Sequence, residues 1–327
     1  MSEYQDDIAH RATTAKLPKC DWYHIKFMCR FFAAEALGLG MIVFLIACHA
    51  AEGNLASNVS GPIVASAAFA VAVWTVGPVS GPQITGALSL ALLMTRRINF
   101  VYFILGLAGQ LCGALVGVSL ASRLVPGLMD KANLNLHVPG QGVTDGQAFG
   151  MECICSFLLI VCCLSTLDEF RNPHWSQGHV TQFSVVVFLL ILMFAGTLGK
   201  VTGCGLNPAF SLSAAIFNNN YKKIWIYIVA PFVGTIIAVL FWEMLLSDGA
   251  SVERIKHWWT DPDFDRTKDY KRLDREAFCT FDAEDAMLSF VPLYPIRSYS
   301  RVFNISQTND FGNHGHREMR DVRCHEV

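Results

Sequence analysis

Charged side chains are nearly absent from six stretches of this 327-residue chain, and each stretch has about the length needed to cross a bilayer. A soluble protein rarely carries more than one such stretch, so the sequence predicts an all-α protein that crosses the membrane several times. An even number of crossings leaves both termini on one side. The lysines and arginines of the leader, of Arg96-Arg97 and of the tail indicate that this side is the cytosol. The six stretches are residues 31–51, 62–79, 98–121, 148–167, 180–198 and 224–246.

The sequence also lacks the signals of several other classes of protein. The first apolar stretch follows a polar leader and has no small-residue cleavage site, so it does not resemble a signal peptide. None of the eleven cysteines has zinc spacing or a paired set in an outer loop, which favours free thiols and no metal. No nucleophile stands near a base. We therefore expect neither an enzyme nor a cofactor, and no nucleic-acid partner.

Two short apolar runs, each introduced by a glycine-rich segment, interrupt the series of long stretches. One begins at Asn207-Pro208, where asparagine is a good N-cap and proline suits the first helical position. It ends at Phe217, after about half of the length that a bilayer requires. The other begins at Thr85 and ends at Met94. A half-helix with its positive N-terminal end at the middle of the membrane is suited to line a polar pathway.

These landmarks occur twice in the same order: span, span, short run and span. Glu35 precedes the first short run by about fifty residues, and Glu152 precedes the second by about fifty-five. Three crossings per half give the two halves opposite orientations, so the short runs enter from opposite faces and meet near the midplane. An intramembrane glutamate either relays protons or accepts hydrogen bonds from the free amides of a re-entrant loop. The matched positions favour the structural role.

The membrane part, residues 31–246, contains a series of motifs in a characteristic order and spacing: Ala34-Glu35-x-x-Gly38, Ser80-Gly81, Arg96-Arg97, Gln110, Gly146-Gln147-Ala148-Phe149-Gly150-x-Glu152, Thr202-Gly203-x-Gly205-x-Asn207-Pro208-Ala209 and Pro231-x-x-Gly234. Through these motifs it resembles the aquaporins (major intrinsic proteins). The resemblance implies an hourglass of six transmembrane helices and two re-entrant half-helices, built as an inverted repeat, with Glu35 and Glu152 as structural carboxylates. It also implies a homotetramer with one pore per monomer, for water or small uncharged solutes.

One departure from the family pattern falls at the midplane of the implied pore. Where the family has a first Asn-Pro-Ala motif, this chain has Thr85-Gly86-Ala87. Threonine still caps a helix, but it has no amide N–H to direct into the pore. Of the paired donors that orient a passing water in the family, only the amide of Asn207, within Asn207-Pro208-Ala209, is left.

A second departure falls at the outer constriction. The residue after the second motif is Phe210, where relatives have arginine, and spacing places the companion filter positions at Ala65, Ala195 and Cys204. Water-selective relatives usually have an aromatic residue and a histidine where the two alanines stand. We expect a filter that is wide and apolar, or one that Phe210 plugs.

The departures leave alternative functions open. Loss of the arginine and of one midplane asparagine removes both usual barriers to cations, so a poorly selective or ion-conducting channel is one alternative. A non-conducting member that acts in adhesion or scaffolding is another. A coupled transporter is disfavoured, because no charged residue besides the two glutamates lies deep in the spans.

Two cytosolic segments, residues 1–30 and 247–327, flank the channel domain in this interpretation. The longer one is charged and partly aromatic, and it could bind a cytosolic partner. Asn58-Val59-Ser60 is a glycosylation acceptor in the first outer loop, whereas Asn304-Ile305-Ser306 should stay unmodified in the cytosol. We expect a multi-pass protein of the plasma membrane.

Overall fold

A computed structural model describes residues 22–81, 83–168, 180–247, 249–266, 268–270 and 272. Asn304 and most of the two predicted cytosolic segments lie outside these ranges. Within the described residues the regular structure is helical throughout. Its helices are α1 (Trp22–His49), α2 (Gly61–Ser80), α3 (Gly86–Met94), α4 (Phe100–Leu124), α5 (Asp145–Thr166), α6 (Val180–Leu198), α7 (Pro208–Phe217), α8 (Ile224–Phe241) with a π-helical turn at Trp242–Leu246, and α9 (Val252–Thr260).

The long helices account for the predicted membrane crossings. Helices α1, α2, α4, α5 and α8 with its π-helical turn are long and apolar enough to span a bilayer, and α6 contributes an apolar segment at Phe183–Leu198. The predicted all-α membrane fold is therefore confirmed. Helix α1 begins at Trp22, well before residue 31, because an apolar window detects only the part of a helix that lies in lipid.

Close packing of small residues pairs the helices in the same way in both halves. Helix α1 packs on α4, and α5 packs on α8. At Gly113 of α4 a Cβ atom would lie 1.9 Å from the carbonyl oxygen of Ala36, so only glycine fits there. At Gly234 of α8 a Cβ atom would lie 2.3 Å from the carbonyl oxygen of Cys153. Both halves thus bring the first and last of their three long helices into backbone contact.

Each half-helix begins at a side-chain cap, and the two caps differ in strength. Asn207 Oδ1 accepts from the amides of Ala209 and Phe210, at 3.2 and 3.4 Å. Thr85 Oγ1 accepts from the amide of Ala87 alone, at 3.3 Å. Threonine thus substitutes for asparagine as a cap, with fewer hydrogen bonds.

The two half-helices meet at their N-terminal ends. Asn207 Nδ2 donates to the carbonyl oxygen of Ile84 at 2.9 Å, across from the second re-entrant loop to the first. The hydroxyl of Thr85 donates to the carbonyl oxygen of Leu206 at 3.3 Å in the opposite direction. This reciprocal pair of contacts joins the N-terminal ends of α3 and α7, as the repeat predicts.

Candidate functional site

The first re-entrant loop is held by Glu35, which is fully buried. Its carboxylate accepts from the Ser80 hydroxyl at 2.6 Å, the Ile84 amide at 2.9 Å and the Gln110 side-chain amide at 2.8 Å. Ile84 has a left-handed backbone (φ 56°), which is unfavourable for a β-branched residue and requires support from its surroundings. The carboxylate supplies part of that support.

Glu152 holds the second re-entrant loop in the same manner. It is also fully buried, and it accepts from the Thr202 hydroxyl at 2.5 Å and from the amides of Gly205 and Leu206 at 2.9 and 2.7 Å. Leu206, like its counterpart in the first loop, has a positive φ of 44°. These contacts are the ones that the structural role of the glutamates requires, and they leave both carboxylates occupied by donors of the loops.

A cavity of about 300 Å³ lies at the junction of the half-helices. It is called the outer cavity here, after the predicted orientation of the chain. It brings together the predicted filter and midplane side chains Ala65, Ala195, Cys204, Phe210, Thr85 and Asn207. The remaining predicted midplane residues are buried in the first turns of the half-helices: Gly86, Ala87, Pro208 and Ala209. The midplane motifs therefore contribute their cap residues to the wall and use the others for packing.

The pathway narrows on the other side of the junction. A second cavity of about 30 Å³ shares Phe69, Thr85, Leu159 and Ile191 with the first. Side chains spaced four residues apart on α6 form one wall of the pathway: Phe183, Val187, Ile191 and Ala195. Residues spaced the same way on α2 form another: Ala65, Phe69 and Val73. This second cavity, called the inner cavity after the predicted orientation, is therefore both smaller and more apolar than the first.

Phe210 lies at the wall of the outer cavity against a histidine of the loop between α4 and α5. Its ring centroid is 4.9 Å from that of His137, in an edge-to-face arrangement with an interplanar angle of 79°, and Phe210 is 5% exposed. His137 Nδ1 lies 2.9 Å from the Ser211 hydroxyl, and its ring is 5.7 Å from that of Tyr227. Burial lowers the pKa of His137 to about 4, so the imidazole is neutral at physiological pH.

Three aromatic side chains of this site were not predicted from the sequence: Phe69, Phe183 and His137. Phe69 lies four residues after Ala65, and Phe183 lies twelve residues before Ala195, so the helical period could have indicated both. His137 comes from an irregular loop, where no periodicity indicates which residue turns towards the pore.

The remaining predicted features lie away from the cavity. Asn58 is exposed in the loop between α1 and α2. Among the described residues, no group of three or more histidine, cysteine, aspartate or glutamate side chains could hold a metal ion.

The helices, the two half-helices and the cavity at their junction define a multi-pass membrane protein with the architecture of a channel. The model of the major intrinsic protein family matches residues 21–242, and the chain belongs to this family. It is therefore a transmembrane channel for water or small solutes and not an enzyme. The predicted resemblance to the aquaporins is confirmed.

Individual relatives agree with this assignment. The chain is 29% identical to Aquaporin-1 of Bos taurus over 247 residues, which is 71% of this chain and 89% of the relative. It is 30% identical to Aquaporin-1 of Mus musculus over 245 residues, covering 71% and 88%. The X-ray structure of the aquaglyceroporin from Plasmodium falciparum superposes with a TM-score of 0.59 at 23% identity, covering 66% of this chain and 95% of that one. This last likeness concerns the fold alone.

Proposed function

We propose that this chain is a passive channel for small uncharged solutes whose outer filter is apolar and carries no fixed charge. The observation that carries the proposal is the placement of Phe210. Its ring packs edge-on against His137, and about 300 Å³ of cavity remains open beside it. This observation supports the alternative in which Phe210 lines an open pathway, and not the alternative in which its ring closes the pathway.

An apolar filter changes the relative barriers for different solutes. The arginine of relatives would offer several N–H donors, whereas a phenyl ring offers none. Each hydrogen bond that a stripped water fails to make costs about 1–3 kcal/mol, which slows its passage by roughly five- to a hundredfold. Solutes with apolar carbons can contact the ring of Phe210 and the methyl groups of Ala65 and Ala195, so they lose less. We infer low water permeability and a relative preference for less polar solutes.

The inner half of the pathway adds a second barrier. Its cavity of about 30 Å³ corresponds to roughly the volume of one water molecule, and Leu88, Phe183 and Val187 contribute to its apolar wall. A narrow apolar segment of this kind can exclude water when it closes by a small amount. The two buried glutamates also speak against the ion-conducting alternative. Both accept hydrogen bonds from donors of the loops, so they present no counter-charge to a passing cation.

The assembly and topology belong to the same proposal: a homotetramer in the plasma membrane, with both termini and the tail in the cytosol. Support for the common side comes from Arg96, which follows α3. Its guanidinium donates to the carbonyl oxygens of Trp258 and Asp261, both at 2.5 Å. The loop that carries Arg96-Arg97 and the start of the tail therefore lie together, as a positively charged cytosolic face requires. A cytosolic partner for the rest of the tail remains a proposal from its composition.

Swelling of vesicles or oocytes, measured beside membrane current, tests the proposed function. We expect uptake of urea or glycerol without current, together with slow water flow. Phe210→Arg alone should not restore fast selective water flow, because Ala65 and Ala195 leave the filter wide. Current through the wild-type protein would favour the ion-conducting alternative. Absence of both flow and current would favour the scaffold.

A further inference from the structure

The loop between α4 and α5 is fastened at several points to the elements that form the outer constriction. The Gly140 amide donates to the carbonyl oxygen of Val201 at 2.8 Å. Leu134 and Asn218, at the end of α7, exchange two hydrogen bonds: the Leu134 amide donates to Asn218 Oδ1 at 3.0 Å, and Asn218 Nδ2 donates to the Leu134 carbonyl oxygen at 2.9 Å. These contacts give the residue between them, His137, a fixed place on the wall of the outer cavity.

The close approach of the loop to the second re-entrant segment fixes the imidazole further. A Cβ atom at Gly203 would lie 3.3 Å from His137 Cδ2, so the glycine leaves room for the ring with little to spare. Phe210 and Tyr227 contact the ring from two other directions. The side chain is consequently only 8% exposed, although it lines the cavity.

The hydrogen bond to Ser211 decides which ring nitrogen carries the proton. Ser211 is 1% exposed, and among the described residues its hydroxyl has His137 Nδ1 as its recorded partner. A buried hydroxyl proton without an acceptor is costly, so the hydroxyl donates to Nδ1. A neutral imidazole that accepts at Nδ1 has its proton on Nε2. Among the described residues the ring's hydrogen bond is the one at Nδ1, and Nε2 is not one of the buried polar atoms that lack a partner. Nε2–H is therefore open to the cavity that His137 lines, where it can find an acceptor.

We propose that His137 supplies the hydrogen-bond donor of the outer constriction and selects uncharged solutes that carry an acceptor oxygen on a compact body. This inference rests on the proposed passive channel and names the solute class of its filter. One N–H beside the apolar ring of Phe210, with the alanine methyl groups in the wall of the same cavity, suits small amides and ureas. Such a solute gives its carbonyl oxygen to Nε2–H and the face of its planar body to the apolar wall, while its N–H groups stay hydrated in the open part of the cavity.

The neutrality of the imidazole matters for this role. A charged ring would repel cations and hold acceptor oxygens too tightly for rapid passage. Because the pKa of His137 is about 4, the donor is present without a charge across the physiological range of pH. The constriction therefore combines one neutral donor with an apolar collar.

Paired solutes that differ in acceptor strength test the proposal. Urea and thiourea have nearly the same shape, but sulfur is the weaker acceptor. In reconstituted vesicles, His137→Leu should lower urea permeability by roughly five- to a hundredfold and thiourea permeability by less, so the ratio of the two falls. His137→Gln keeps an N–H donor and should retain a larger part of the ratio. His24→Leu, the same change near the start of α1, is the matched control and should leave the ratio unchanged.

A second variant keeps the test decisive if His137→Leu fails to fold. Ser211→Ala leaves the imidazole in place but removes the hydroxyl that fixes its proton on Nε2, so it should lower the same ratio by a smaller factor. If urea and thiourea permeability fell by the same factor in every variant, His137 would have a role in packing alone, and the proposal would be overturned. Urea flow that is unchanged in His137→Leu would overturn this inference alone. A wild-type protein that conducts neither solute would overturn the proposed function as well.

Discussion

At the scale of single residues, the protonation of His137 makes the stability of the fold depend on pH. Burial lowers the pKa of this histidine from 6.5 in the unfolded chain to about 4, so the native state disfavours the proton. The corresponding stability is fully present above pH 6.5 and is lost as the pH falls from 6.5 towards 4. The difference corresponds to about 3 kcal/mol.

We expect solute flux to be constant between pH 5.5 and 8. We expect the melting temperature of the wild-type protein, measured relative to that of His137→Gln, to fall as the pH is lowered below about 6. Flux that changes severalfold with a midpoint near pH 6.5 would show an ordinary, exposed histidine instead.

Cys204 offers a chemical probe of the outer cavity. Its side chain is half-buried and lines the cavity wall near Phe210. A small mercurial added from outside should therefore block solute flux, and Cys204→Ser should relieve the block. Cys163 lines the inner cavity and serves as the matched control. Block that survives in Cys204→Ser and disappears in Cys163→Ser would place the reactive thiol on the inner side of the junction.

At the scale of the elements, the start of the tail stabilises the first half-helix. The last carbonyl groups of a helix lack partners within it. Those of Met94 and Thr95, at the end of α3, accept from Trp258 Nε1 and from the Arg266 guanidinium, both at 3.0 Å. Because the cap of α3 at Thr85 accepts from one amide alone, these contacts at the opposite end contribute to its position.

Trp258→Phe keeps an aromatic ring and removes the N–H donor. We expect it to lower the free energy of unfolding by about 1–2 kcal/mol, because the carbonyl oxygen of Met94 loses its partner. The adjacent Trp259 is 69% exposed, whereas Trp258 is 7% exposed, so Trp259→Phe is a matched control with little expected effect. Thermal denaturation in detergent, followed for both variants, measures the difference. Equal melting temperatures would contradict a role for the tail in holding α3.

The elements also show what sequence can predict about this fold. Apolar length predicted the membrane crossings, and the cap at Asn207 predicted the start of α7, because both signals are local. Helix α9 and its contacts with α3 were not predicted, since they depend on polar groups brought together by the fold. The same limit applied to His137, whose role depends on the packing of an irregular loop against Ser211 and Phe210.

At the scale of the whole molecule, topology and the inverted repeat depend on each other. If the termini are cytosolic, the exposed loop that carries Asn58 lies outside and should be glycosylated. Treatment with a glycosidase should shift the mobility of the wild-type protein, and Asn58→Gln should abolish the shift. A shift that persists in that variant and is lost with Asn304→Gln would show that both halves have the orientation opposite to the predicted one.

The selectivity of the intact channel follows from the apolar filter with its one donor at His137, the loss of one of the two midplane amides and the tight inner cavity. The apolar filter, the missing amide and the inner cavity raise the barrier for water, whereas the filter favours solutes that combine an acceptor oxygen with apolar surface. The osmotic water permeability per channel is therefore the quantity on which the proposed function depends most directly.

Stopped-flow light scattering on vesicles of known protein content measures that permeability. The reference is a relative that keeps both Asn-Pro-Ala motifs and the filter arginine. We expect water flow roughly five- to a hundredfold below the reference, with measurable entry of urea or glycerol and no ionic current. Water flow equal to the reference, together with exclusion of urea and glycerol, would contradict the proposed apolar filter.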